Sequence, residues 1–321
     1  MVTQIQMVAV QARWTLADYR DDAAFAGFVD RLMAAVDLVR EAQHPCLVAF
    51  PEFIGLPLLF LDAADDLGGC SSWQEAGMRL VGKHGAEVQP LMQRYGVGPL
   101  RALMLLQAPR IASVYCSTFA RAAAAHNCYL VAGSAPLPST AAADGKVYNV
   151  SYFFGPDGSV IGRQGKVHPY GREATADGLD LTGAALESLQ SFETPFGKVG
   201  IAICYDAFQQ DVLSMLAGQG ASIVIQPSAN ARVWDEWQAG DWERGLWSAV
   251  QHYPQIQCGI NPMMVGSLFA PDDEYSCQGR SAIVTKIDRT SDSSGYVQRA
   301  REQPWSSYCE EELVTAVLSL R

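Results

Sequence analysis

Apolar positions along this chain follow two rhythms that take turns. Residues 4–11 and 46–50 are short strand-like runs, Ile5-Gln6-Met7-Val8-Ala9-Val10 and Cys46-Leu47-Val48-Ala49-Phe50. Between them Phe25, Phe28, Val29, Leu32, Met33, Val36 and Val39 recur at helical spacing. Strand, helix, strand in this order predicts an α/β architecture. The pattern continues with a helix at 114–125, a strand at 128–133, and two strands at 147–154 and 160–165. Gly155-Pro156-Asp157-Gly158-Ser159 between those two reads as the turn of an antiparallel hairpin. Later strand-like runs fall at 198–203, 221–226, 256–260, 264–269, 281–287 and 313–318, with a Trp-rich helix predicted at 241–251.

The rhythm fails once. Over residues 55–111, Gly68-Gly69, Gly82, Gly85, Pro90, Gly96, Gly98 and Pro99 interrupt short helical pieces. This predicts an insertion at about 55–111 within a single domain spanning 1–321. Two readings of it stay open: a lid or pocket wall, and an extra helical cap or subunit contact.

Composition narrows the function classes. Hydrophobic residues make up 49% and charged residues 18%, which fits a compact enzyme rather than a disordered chain. The formal net charge of −11, with no basic cluster, argues against nucleic acid and against an anionic membrane surface as partners. Residues 4–11 already read as a strand, with no basic leader and no long apolar stretch, so a cytoplasmic location is expected. The eight cysteines have no CxxC pair and no regular spacing. They read as free thiols rather than as disulfides or a zinc site.

One cysteine stands apart by its position. Val199, Ile201 and Ile203 form a strand that ends at Cys204, and from Asp206 onward Phe208, Val212, Met215 and Leu216 share a helical face. A thiol at such a corner lies at the C-terminal edge of a sheet, where a helix N-terminus favours the thiolate. A cysteine after an aliphatic strand is, on its own, more often a small buried residue. Glu52 and Lys166 stand at comparable places, after the strand at 46–50 and after the second arm of the hairpin. A carboxylate beside a thiol with a pKa of about 8.5 can take its proton, and a cation can stabilise charge on an attacked carbonyl oxygen.

Three short blocks carry a resemblance. Phe50-Pro51-Glu52-Phe53, Gly165-Lys166-Val167-His168 and Ile203-Cys204-Tyr205-Asp206 resemble, in chain order, the signature blocks of the nitrilase superfamily, the carbon-nitrogen hydrolases. Gln226-Pro227-Ser228-Ala229-Asn230, Gly279-Arg280-Ser281-Ala282-Ile283-Val284 and Glu310-Glu311-Glu312-Leu313-Val314 extend it over nearly all the chain outside 55–111. The resemblance implies a four-layer α-β-β-α sandwich, paired into a homodimer or larger assembly. It also implies Cys204 as nucleophile, Glu52 as general base, Lys166 as stabiliser of the tetrahedral intermediate and Glu173 as an auxiliary carboxylate. The Tyr205 backbone N–H would assist at the oxyanion, and Asn230 would contact substrate.

Tyr205-Asp206 after the nucleophile resembles the amidase and carbamoylase branch more than the Trp-Glu of nitrilases. The expected reaction is therefore hydrolysis of a non-peptide C–N bond in a small amide or N-carbamoyl compound through a Cys204 thioester, with no metal or organic cofactor. A nitrilase acting through a thioimidate and a catalytically silent scaffold are the alternatives. Phe53, Phe60, Tyr170, Tyr205 and Trp234 are candidate pocket walls, and Arg172 and Arg232 candidate holders of a substrate carboxylate. For Trp234, Trp237, Trp242 and Trp247, packing is the favoured reading over binding.

Overall fold

The structure of the protein, a computed structural model, describes residues 3–138, 144–271, 273 and 275–320. Two sheets carry it. The first has seven strands. Glu312–Leu320 pairs antiparallel with Thr3–Gln11, followed in parallel by Cys46–Ala49 and Tyr129–Val131; Val147–Phe154 then runs antiparallel. Ala135–Pro138 and Val160–Gly165 flank that last strand on opposite sides. The second sheet orders six strands as Tyr296–Arg299, Ala282–Thr285, Cys258–Asn261, Ala221–Ile225, Gly197–Ile201 and Ser191–Thr194.

Side-chain alternation explains the layering. Successive residues of a strand point to opposite faces, so Ile5, Met7 and Ala9 meet Val199, Ile201, Ile223 and Ile260 of the other sheet in a core between the two. Val8 and Val10 point the other way, against Phe25, Phe28 and Leu32 of the helix Asp22–Val39 and Phe119 of the helix Pro99–Ala125. On the far side, Ala221 and Val224 pack with Val212 and Leu216 of Gln210–Gly218 and with Ala249 and Val250 of Leu246–His252. Helices, sheet, sheet, helices make the four-layer sandwich expected. Among the described residues no helix is long and apolar enough to cross a membrane.

Several elements depart from the sequence reading. The run at 241–251 is not one helix but two, Glu236–Trp242 and Leu246–His252. They part at Gly245, which sits against the Phe208 ring, while the Gln226 side chain accepts the Leu246 N–H at 3.2 Å and starts the second helix. The strand expected at 264–269 shrinks to Met263–Met264, because Gly266 turns the backbone into the left-handed region at φ 86°. Within 55–111 the chain forms Leu56–Phe60, Trp73–Lys83, Gly85–Tyr95 and the start of Pro99–Ala125. Pro99 thus opens a helix instead of interrupting one, since the N–H it lacks would be unpaired at that position anyway. That helix runs without a break into the one expected at 114–125.

One glycine lies close against the turn that follows Cys46–Ala49. Gly133 has φ 67°, and a Cβ there would lie 2.1 Å from the Pro51 carbonyl oxygen and 2.9 Å from Ile54 Cγ2. Gly133→Ala therefore meets both a strained backbone and a main-chain clash. It is expected to lower stability by about 3 kcal/mol, measured as an earlier urea midpoint at unchanged slope.

Candidate active site

Three strand ends deliver three reactive side chains to one cavity. Glu52 follows Cys46–Ala49 in a turn held by Ser134, whose hydroxyl accepts the Phe53 N–H at 2.9 Å and whose carbonyl accepts the Gly55 N–H at 2.9 Å. Lys166 leaves Val160–Gly165 with its N–H still donating to Asn149 O at 2.8 Å. Cys204 opens a short 3-10 turn, Cys204–Phe208, rather than the α-helix, which begins only at Gln210. Its φ of 49° lies in a region that side-chain-bearing residues seldom adopt. Two bonds hold it there: its N–H donates to Pro227 O at 2.8 Å, and Gln226 Nε2 donates to its carbonyl at 3.2 Å.

The charged groups close on each other. Lys166 Nζ donates to Glu52 Oε1 at 2.8 Å and to Glu173 Oε2 at 2.6 Å, and both Lys166 and Glu52 are only 1% exposed. Asn149 Nδ2 bridges the same two carboxylates, at 2.9 Å to each. The Ala229 N–H donates to the second oxygen of Glu52 at 3.1 Å, and the Ala229 carbonyl accepts from the Cys204 thiol at 3.9 Å, so one residue links the carboxyl to the thiol. One buried ammonium thus serves two buried carboxylates.

Burial dominates the electrostatics. It pushes the Glu52 carboxyl up from its ordinary 4.5 to about 7, against the Lys166 ammonium and with the help of Glu173's charge. Burial works against the Lys166 ammonium too, but Glu173 and Glu52 overcome it and hold its pKa well above the usual lysine range. The Cys204 thiol is pushed well up, first by burial and then by the Glu52 charge. This runs against the expectation of a helix-stabilised thiolate: burial and the Glu52 charge both favour the protonated thiol.

Glu52, Lys166, Glu173 and Cys204 line a cavity of about 430 Å³. Phe53, Tyr170, Tyr205 and Asn230, the other residues singled out in the sequence, line it too. Tyr170 is at the mouth, half exposed, whereas Phe53 is buried. Asn230 has part of its amide committed elsewhere, since Nδ2 donates to Arg232 O at 2.9 Å and Gln278 O at 3.0 Å. Arg172 and Arg232 are both on the lining. Phe60 and Trp234 are buried but not on it. No residue of 55–111 reaches the lining. That stretch acts from behind, through Trp73 against the Tyr275 ring at 5.4 Å and Gln74 accepting from Arg172 at 3.2 Å.

Sequence reasoning missed several residues. Asn149 carried one signal: it is a polar residue on the buried phase of the strand Val147–Phe154. Asp206, read as a helix start, instead accepts the N–H groups of Val167 at 3.0 Å and His168 at 2.8 Å. It thereby ties the turn that carries Cys204 to the loop that carries Lys166. Phe208, Trp242, Tyr275 and Cys277 also line the cavity, with nothing local in the sequence to single them out. Among the described residues no group of three or more His, Cys, Asp or Glu side chains is placed to hold a metal ion.

Comparison with known proteins gives a consistent picture. The carbon-nitrogen hydrolase family model matches residues 8–285. The omega-amidase NIT2 of Mus musculus is 32% identical over 106 residues, and that of Danio rerio 34% over 106 residues. Each match takes in 32% of this chain and 36% of the relative, so the chain spans about a third of the length of these relatives. Among solved structures, Saccharomyces cerevisiae Nit3, a member of branch 10 of the nitrilase superfamily, superposes with a TM-score of 0.61 at 19% identity. It covers 99% of this chain and 90% of that one. A mutant amidase from Nesterenkonia sp. AN1, also of the nitrilase superfamily, gives a TM-score of 0.61 at 15% identity with the same coverage. The family model spans most of the chain and the fold of these structures is the four-layer one described above. The chain belongs to the carbon-nitrogen hydrolase family.

Proposed function

We propose that this protein hydrolyses a small amide through a thioester on Cys204. The observation that carries the reading is the arrangement around Glu52: a carboxyl with a pKa near 7, bonded to the Lys166 ammonium at 2.8 Å and joined to the Cys204 thiol through Ala229, near enough for its charge to act on that thiol. Glu52 removes the thiol proton as Sγ forms a bond to the amide carbon. The carbonyl π electrons move onto oxygen, and that oxyanion is met by the Lys166 ammonium and the Tyr205 backbone N–H. As the tetrahedral intermediate collapses, the C–N bond breaks and Glu52 passes its proton to the departing amine or ammonia. Water then loses a proton to Glu52 and attacks the thioester. Collapse of the second intermediate releases the carboxylic acid and returns the proton to Cys204. Glu173 takes part by setting the position and charge of Lys166, to which it is bonded at 2.6 Å.

The amidase neighbours support this reading. In one structure of a mutant of the Nesterenkonia amidase, the acetamide moiety of fluoroacetamide is covalently added at the active site cysteine. For this chain the test is the pH dependence of Cys204 acylation. A base must be deprotonated to act, so the rate is expected to rise with one-proton slope through about pH 7, the Glu52 value, and to level off above it. Stopped-flow acylation with intact mass spectrometry of the acyl adduct measures both the midpoint and the site. A midpoint between about 4 and 5, or an adduct on another cysteine, would contradict the assignment.

A further inference from the structure

Aromatic rings make up part of the cavity wall, and they belong to two strings. In the first, Tyr170 and Tyr205 have centroids 4.6 Å apart. Tyr205 and Phe208 follow at 6.1 Å in stacked geometry, and Phe208 meets Trp242 edge-on at 5.4 Å. In the second, Phe53 meets Tyr275 edge-on at 6.4 Å, and Tyr275 is backed by Trp73 at 5.4 Å and Trp73 by Phe60 at 4.4 Å. Tyr170, Tyr205, Phe208 and Trp242 of the first string, Phe53 and Tyr275 of the second, and Cys204 line the same cavity.

Resting on the reading of Cys204 as nucleophile, we propose that the substrate is an amide whose acyl group carries a planar aromatic ring, of the benzamide or arylacetamide class. The ring lies among the two strings while its carbonyl carbon reaches Sγ. Three physical points carry this. Aromatic rings pair best edge-to-face or offset, and the cavity offers both geometries already formed. The lining rings of the second string are backed by Trp73 and Phe60, each 1% exposed, so packing behind them limits the reorganisation that opposes binding. A cavity of about 430 Å³ falls within the range that encloses ring-sized ligands, about 300–1,000 Å³, whereas a two-carbon amide would leave most of it wet.

The competitor is an aliphatic amide bearing a carboxylate, because Arg172 and Arg232 are also among the lining residues. Arg232 Nη2 lies 3.5 Å from the Tyr170 hydroxyl at the mouth, and Arg172 Nη2 donates to Gln74 and to Asp177 O. Both cations stand with Tyr170 at the end of the first string, away from the rings that continue to Trp242.

The experiment compares kcat/KM, by ammonia release, for benzamide and phenylacetamide against acetamide, butyramide and the half-amide of succinic acid. Each is paired with intact mass spectrometry of the acyl-enzyme. At least one of the aromatic amides is expected to exceed all three aliphatic ones by about tenfold or more. In Phe208→Leu and, separately, Tyr275→Leu, the ratio of aromatic to aliphatic kcat/KM is expected to fall by about tenfold. If the aliphatic amides acylate Cys204 as fast as the aromatic ones, or faster, the aromatic assignment is overturned and the hydrolase reading stands. If no amide acylates Cys204 and none releases ammonia, both are overturned. The wild-type selectivity decides the matter even where a variant does not fold.

Discussion

Cys204→Ala is expected to abolish amide turnover, with kcat reduced by about four orders of magnitude or more, while the protein stays folded and still binds its substrate. Cys204 shares its cavity with Glu52, the base proposed for it, and Ala229 links the two. Deleting one sulfur at a residue 9% exposed, on the edge of an open cavity, leaves no sealed void and costs stability about 1 kcal/mol. The backbone strain at φ 49° is the same for Ala as for Cys, so the turn has no new reason to rearrange. Cys204→Ser keeps the shape but replaces the thiol with a far less acidic hydroxyl, and it is expected to be nearly as inactive. The decisive measurements are the intact mass, which gains one acyl group only in the wild type, and the KM-type affinity, which survives in both variants. Turnover by Cys204→Ala within tenfold of wild type would end the thioester mechanism.

What the sequence disclosed and what it hid divide along a physical line. Strand positions were readable because period-two burial is local: Ile5, Met7 and Ala9 point to one core and Val8 and Val10 to another. Reactive residues at strand ends were readable for the same reason, since Glu52, Lys166 and Cys204 each close a periodic run. The contacts that make the site work are of another kind. Asn149 joins residues 52 and 173, Asp206 reaches back to 167 and 168, and Gln226 holds both the Cys204 carbonyl and the Leu246 N–H. Such contacts span tens of residues and follow from topology, not periodicity. The Gly245 break was hidden because it depends on Phe208 and Gln226, which lie elsewhere in the chain. The state of the thiol was misjudged because a helix terminus was inferred without knowing how deeply the sulfur is buried. Burial and the Glu52 charge outweigh any dipole there.

Lys166→Met is expected to cost the most stability and to damage activity as well. The ammonium is the shared counter-charge of Glu52 and Glu173, at 2.8 and 2.6 Å, inside a site where neither it nor Glu52 sees solvent. Removing one partner of a buried ion pair leaves a charge uncompensated, at a cost of about 3–5 kcal/mol. The pH dependence follows from the directions of the shifts. Lys166 has a raised pKa in the folded protein, so its stabilisation is fully present below the ordinary lysine value and is lost only as pH rises through the higher folded one. The whole of it is therefore missing from the variant at pH 7. Glu52 also has a raised pKa, so a folded protein that can protonate it gains stability as pH falls from about 7 toward 4.5. Without Lys166 to oppose burial, that pKa moves higher and the gain on acidification grows. Urea unfolding is thus expected to show a deficit of several kcal/mol at pH 7.5 that narrows at pH 5. The same proton that relieves the variant disables it: Glu52 held neutral at pH 7 cannot take the Cys204 proton, and the oxyanion has lost its cation. Activity is expected to drop by about three orders of magnitude or more even under conditions where the variant is fully folded. A deficit under 1 kcal/mol, or one equal at the two pH values, would mean that the carboxylates are neutralised by something other than Lys166.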